Sequence, residues 1–245
     1  MNNGKREAGS GKRKVVYLAA GALLLACTKE RPAPEARAPE TQSGASSDAS
    51  RFPLPASRAP ASRKAILFVG TSLTAGYGLD ADSAYPQQIQ NMIDSAALPY
   101  TVVNAGVSGE TSSAMLRRLD WLLRQPFDVI VIETGANDGL RGISVDAMRE
   151  NIQRAIARIR QARPAARIVL VQMEALPNMG RAYTQQFRNA FPRLAKDNHV
   201  VLLPFLLDGV AGRGELNQAD GIHPNYDGER IVARNVWKGL RPILQ

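Results

Sequence analysis

From residue 64 onward the chain alternates short apolar runs with amphipathic helical stretches, and that alternation limits the fold more than any other feature. Ala65–Val69 (AILFV), Tyr100–Asn104, Asp128–Ile132 (DVIVI), Arg167–Gln172 (RIVLVQ) and Val200–Leu203 have the length of strands. Several are apolar at every position, as strands of a parallel sheet covered on both faces should be. Between them, Met148, Ile152, Ile156 and Ile159 recur at spacings of four, four and three, which marks one face of a helix. Tyr85–Ala97, Ser112–Leu123, Arg181–Lys196 and Asn225–Leu240 are the other predicted helices. Strand–helix alternation of this kind implies an α/β fold, a three-layer doubly wound parallel sheet with right-handed crossovers. Ligands bind such sheets beyond the carboxyl ends of the strands, so chemistry is expected in the loops that follow them.

The first 63 residues obey different rules. Five basic residues precede an apolar run, Val15–Ala26 (VVYLAAGALLLA), that ends directly at Cys27. Twelve apolar residues are too few to cross a bilayer as a helix but suit the core of a secretion signal. Leu24-Leu25-Ala26-Cys27 resembles the bacterial lipobox, in which small residues precede a cysteine that is acylated and becomes the mature N-terminus. Each buried methylene of an acyl chain adds about 0.8 kcal/mol of membrane affinity. Residues 28–63 are rich in Pro, Ala, Ser and charge, without apolar periodicity. Such a stretch cannot bury enough surface to offset its ordering entropy. The expected organisation is a signal peptide over 1–26, a lipidated Cys27 with a disordered linker over 27–63, and one domain over 64–245. That places the domain at the bacterial cell envelope, held to a membrane through Cys27.

The formal charge of +9 invites a nucleic-acid reading. Most of it lies outside the domain: five basic residues face one acid in residues 1–26, and six face four in 27–63, which leaves +3 on 64–245. No helix or strand there concentrates Lys and Arg into a stripe, so no nucleic-acid partner is expected. One cysteine forms no internal disulfide, so the fold rests on its core.

Four loops carry residues with chemical capacity. The first strand ends in Gly70-Thr71-Ser72-Leu73, followed by Thr74-Ala75-Gly76-Tyr77-Gly78. A serine at a strand-to-helix turn exposes its hydroxyl and N–H to the site, although a serine there is also an ordinary helix cap. The Gly-x-Ser-x-Gly elbow of the α/β-hydrolases is absent. After the second strand comes Asn104-Ala105-Gly106-Val107-Ser108-Gly109-Glu110-Thr111, whose glycines permit close backbone approach to a ligand. The third strand runs into Glu133-Thr134-Gly135-Ala136-Asn137-Asp138-Gly139, where the Asn137 amide could donate to a developing oxyanion or make a local turn. Ahead of the last helix stands Asp220-Gly221-Ile222-His223-Pro224-Asn225. Asp220 can fix the tautomer of His223 and leave its other ring nitrogen to accept a proton. Half of a metal site is the competing account, but no further ligands stand at suitable spacing. His199, the only other histidine, precedes an apolar strand and reads as structural.

In this order and spacing, the four segments resemble the blocks of the SGNH (GDSL) hydrolase superfamily. The flanking residues, Val107-Ser108-Gly109-Glu110-Thr111, Gly135-Ala136-Asn137-Asp138-Gly139-Leu140-Arg141-Gly142 and Asp220–Asn225, are similar to its periplasmic thioesterase/lysophospholipase/arylesterase branch. The resemblance spans residues 65–242 and implies a flavodoxin-like sheet. It implies Ser72 as nucleophile, His223 as base, Asp220 as its orienter, and the N–H groups of Ser72 and Gly106 with the Asn137 side chain as oxyanion hole. It implies no metal or organic cofactor. One position departs from the family: Thr71 stands where the first block usually carries Asp, which removes a charge beside the nucleophile and bears on rate and pH optimum.

The reaction this implies is acyl transfer through Ser72 to water, on esters or thioesters of short to medium acyl groups or on lysophospholipids, by a monomeric enzyme. The same residues would serve a carbohydrate O-deacetylase, and a silent envelope lipoprotein that only binds acyl or glycan ligands is the reading of a different class. Ala175–Tyr183 (ALPNMGRAY) lacks periodicity and holds Pro177 and Gly180. The resemblance implies that this loop borders the acyl pocket, so Leu176, Pro177 and Met179 are expected against the acyl chain, with simple cover of the sheet edge as the alternative.

Overall fold

The structure, a computed structural model, describes residues 63–245. The expected signal peptide, Cys27 and all but the last residue of the expected linker lie outside the described residues. Five strands, β1 (Lys64–Gly70), β2 (Tyr100–Gly106), β3 (Val129–Ile132), β4 (Arg167–Gln172) and β5 (Val201–Phe205), form one parallel sheet in the order β2-β1-β3-β4-β5. Each corresponds to an expected strand, β4 with both ends unchanged and the others with ends moved by at most two residues. β2 runs on by two residues to Gly106, paired with Gly70 of β1. β3 is buried at all four positions, as its unbroken VIVI requires.

Among the described residues seven α-helices flank the sheet: α1 (Ser72–Ala75), α2 (Tyr85–Ser95), α3 (Ser112–Leu122), α4 (Ala136–Leu140), α5 (Val145–Ala162), α6 (Arg181–Asp197) and α7 (Tyr226–Leu244). α2 and α7 pack together on one side, while α3, α5 and α6 pack side by side on the other. The stripe Met148, Ile152, Ile156 and Ile159 of α5 is fully buried. Two short helices fall where loops were expected: α1, capped by the Thr71 hydroxyl, and α4, which opens on Gly135 at φ 104°. α7 starts one residue late because Asn225 is its cap, its side chain accepting from the N–H groups of Asp227 and Gly228 at 3.1 Å.

In this strand order the chain leaves β1 toward β2 and then crosses to β3 on the other side. The carboxyl ends of β1 and β3 therefore diverge, and a crevice opens between the loops that follow them. Ser72 follows β1, and Asn137 follows β3.

Candidate active site

The crevice is a cleft of about 550 Å³ lined by Ser72, Gly109, Asn137 and His223 together with a mostly apolar set that includes Leu140, Met173, Phe205 and Leu207. Its polar end is a chain of hydrogen bonds. Asp220 Oδ2 lies 2.6 Å from His223 Nδ1, and His223 Nε2 lies 2.8 Å from Ser72 Oγ. Burial opposes ionisation of Asp220. The hydrogen bonds from the His223 ring and from the N–H groups of Ile222 and His223 outweigh it and bring its pKa down to about 2. An ionised Asp220 can only accept, so Nδ1 carries the proton of the neutral ring and Nε2 accepts from the serine hydroxyl.

Asp220 and His223 come from one exposed loop. Its backbone folds around the carboxylate, with Oδ1 accepting from Ile222 N–H at 3.0 Å and His223 N–H at 3.1 Å. The Tyr77 ring lies against the imidazole, with centroids 4.7 Å apart. Ser72 is the first residue of α1, with its N–H among the orphan donors of a helix start. Beneath it, Thr71 faces away from the cleft. Its N–H donates to Glu133 Oε2 at 2.7 Å and its hydroxyl to the same carboxylate at 2.9–3.0 Å. The Thr74 hydroxyl donates to Glu133 as well, at 2.9 Å, and accepts from Tyr85 Oη at 2.8 Å. The residue that departs from the family thus holds the floor of the nucleophile turn, and the charge it lacks would have faced another carboxylate.

Gly106 corrects the expected oxyanion hole. It ends β2, its N–H donates to Asn104 Oδ1 at 2.9 Å, and it does not line the cleft. Its lack of a side chain has another cause: a Cβ there would stand 2.3 Å from the Ala75 nitrogen. The glycine in the cleft is Gly109, at φ 76° in a turn closed by Glu110 N–H donating to the Val107 carbonyl at 3.2 Å. Among the described residues no acceptor takes the Gly109 or the Ser72 N–H. Asn137 Nδ2 uses one hydrogen on the Glu110 carbonyl at 3.0 Å and keeps the other. The Glu110 carboxylate is held in turn by Arg118, which also donates to the Ala105 carbonyl at 2.7 Å and so ties this loop to the end of β2.

Of the expected acyl contacts, Leu176 and Pro177 line the cleft and Met179 does not. Pro177–Met179 is a single turn of 3-10 helix, which carries the residue two places on round to another side. The Met179 Cε lies near Gly142 instead, 3.4 Å from where a Cβ on that glycine would be. Tyr77, Leu140, Met173, Phe205 and Leu207 also line the wall, and of these five only the first two stood in segments singled out beforehand.

Comparison with known proteins agrees with this geometry. Residues 68–231 match the GDSL-like lipase/acylhydrolase family. The chain is 35% identical over 185 residues to esterase TesA of Pseudomonas aeruginosa, covering 75% of this chain and 91% of that one. It is 36% identical over 180 residues to thioesterase 1/protease 1/lysophospholipase L1 of Escherichia coli strain K12, covering 73% and 84%. The crystal structure of the psychrotrophic esterase EstA from Pseudoalteromonas sp., inhibited by monoethylphosphonate, superposes with a TM-score of 0.70 at 32% identity, covering 74% of this chain and 98% of that one. On the family match, the identities and a sheet that assembles all four sequence blocks at one cleft, this chain belongs to the GDSL-like lipase/acylhydrolase family.

Proposed function

We propose that the chain is a serine esterase in which Ser72 attacks the carbonyl of a carboxylic ester, or of a thioester, carrying a short to medium acyl group. The observation that carries this is the Asp220–His223–Ser72 hydrogen-bond chain opening onto an apolar cleft. His223 Nε2 takes the serine proton as the carbon–oxygen bond forms, and Asp220 stabilises the imidazolium. The oxyanion gathers the N–H groups of Ser72 and Gly109 and the free hydrogen of Asn137 Nδ2; each donor is worth about 100- to 1000-fold in turnover. His223 then protonates the leaving alcohol or thiol, and water repeats the sequence to release the acid. Every group required is a side chain or backbone amide of this chain.

Leu176, Pro177, Met173 and Phe205 form an apolar wall suited to the acyl chain rather than to a sugar, which favours esters and lysophospholipids over acetylated glycans. The relatives described as esterase, thioesterase and lysophospholipase support the same class. Ser72→Ala should abolish hydrolysis of p-nitrophenyl acetate and butyrate, together with labelling by a serine-directed fluorophosphonate. A panel of p-nitrophenyl esters, acyl-CoA, lysophospholipid and acetylated sugars then separates the substrates. Retained activity in Ser72→Ala, or turnover confined to the sugars, overturns the proposal.

We further infer that the enzyme works as a monomer at the bacterial cell envelope, tethered through an acylated Cys27. The basic start, the twelve-residue apolar run and Leu24-Leu25-Ala26-Cys27 support the anchor. Cys27→Ser should move the protein from the membrane fraction to the soluble one and abolish incorporation of labelled palmitate; unchanged fractionation rejects the anchor.

A further inference from the structure

The two halves of the triad come from segments about 150 residues apart, and their reacting atoms are held at 2.8 Å. The Asp220–His223 loop is internally well tied, yet those ties say nothing about where the loop sits relative to α1. One side chain spans the gap directly. Gln218 Nε2 donates to the Tyr77 carbonyl, just beyond α1, at 2.6 Å, and to the Pro224 carbonyl, next to His223, at 2.9 Å. Its own backbone N–H donates to the His223 carbonyl at 2.8 Å. Two of these bonds tie Gln218 into the histidine loop, and the third fastens that loop to the segment that follows the nucleophile.

The neighbourhood is shaped for this contact. Gly78 has φ 77°, and a Cβ there would stand 2.3 Å from Gln218 Oε1 and 3.2 Å from its Nε2, so the carboxamide lies flat against a residue that has no side chain. The carbonyl that Gln218 holds belongs to Tyr77, whose ring packs on the imidazole of His223. The same amide therefore bears on both the Ser72–His223 separation and the ring that backs the histidine. Gln218 is only half-buried and is not part of the buried apolar core.

We propose that Gln218 is a positioning residue of the hydrolytic reaction, acting as a clamp between the nucleophile segment and the histidine loop. The inference rests on the serine esterase reading above. Displacements of about 1 Å between reacting groups cost about 100-fold in rate. Loss of the clamp should appear in kcat, with KM changed little, because ground-state contacts to the acyl wall remain.

The test is active-site titration followed by turnover. Wild type, Gln218→Ala, Gly78→Ala and the double variant are exposed to a fluorophosphonate until labelling is complete, and the labelled fraction is read by mass spectrometry. Turnover of p-nitrophenyl butyrate is then expressed per titratable Ser72. Gln218→Ala should lose about 100-fold in kcat per titrated site with KM within about twofold and an unchanged melting temperature. Gly78→Ala, which pushes the carboxamide aside from the opposite face, should lose activity too, and the double variant should lose little beyond Gln218→Ala alone, because both act through one contact. Unchanged turnover per titrated site in Gln218→Ala overturns the proposal, as does a loss confined to the titratable fraction or the melting temperature, and so do strictly additive losses in the pair. A wild type that the probe does not label at Ser72 overturns the esterase reading and this inference with it.

Discussion

On the solvent side of Ser72, Asp220 lies in an open loop with its side chain 38% exposed, and on the core side Glu133 and Glu229 lie 1% and 2% exposed. Asp220 keeps its charge: three hydrogen bonds from within its own loop outweigh what burial it has and bring its pKa to about 2. Burial dominates at Glu133 and raises its pKa, although Thr71 and Thr74 donate to it. Glu229, which accepts from Tyr85 N–H at 2.8 Å, is pushed up to about 8 by burial, with the neighbouring Glu133 adding to the shift. One carboxylate is ionised and bonded to His223, while the buried pair braces α1, α2 and α7 at an electrostatic cost. Proximity to the nucleophile does not by itself make a carboxylate catalytic; its partners decide.

The largest effect expected from this contrast is at Asp220. Asp220→Asn keeps the shape but can no longer hold Nδ1 as donor by charge, so kcat should fall about 10³- to 10⁴-fold, with a melting temperature close to wild type. Because Asp220 stays ionised down to about pH 2, its own protonation should leave the wild-type rate profile unchanged above about pH 4. An Asp220→Asn enzyme within tenfold of wild type, measured on p-nitrophenyl butyrate, would break the distinction between the two sides.

The same contrast explains what could be read before the fold was known. Asp220 and His223 are three residues apart and bond to each other, so the pair is visible in the order of residues. Ser72 and Asn137 follow recognisable strands, and an open sheet gathers strand ends. Glu133 opens one of the quoted segments, but its partners lie 62 and 59 residues away across β1, and nothing local announces them. Gly106 and Gly109 share one loop and look alike in sequence. Only the pairing of Gly70 with Gly106 assigns the first to the sheet and frees the second for the cleft. Leu176, Pro177 and Met179 parted for a related reason, since a loop without periodicity gave no sign of the 3-10 turn that carries Met179 away.

The buried side of the contrast is sharpened by the pH dependence of stability. Glu229 has a folded pKa near 8, above its ordinary value of 4.5. Between these values the folded state holds a proton that the unfolded chain has released, so the contribution to stability is full below about pH 4.5 and declines as pH rises toward 8. Glu229→Gln removes that dependence, and its melting temperature should fall less than that of wild type between pH 5 and pH 8. Thr71→Asp, which restores the usual family residue, sets a second carboxylate against Glu133 in a buried site. Two such groups share a proton or repel, so this variant should lose stability more steeply over the same range. With about 2–4 °C per kcal/mol for a domain of this size, the differences in slope should amount to a few degrees in thermal melts. The expected order from steepest to shallowest is Thr71→Asp, wild type, Glu229→Gln. A Glu229→Gln melt that tracks wild type across the range would mean that Glu229 is already ionised in the fold, and the core-side carboxylates would then differ from Asp220 in exposure alone.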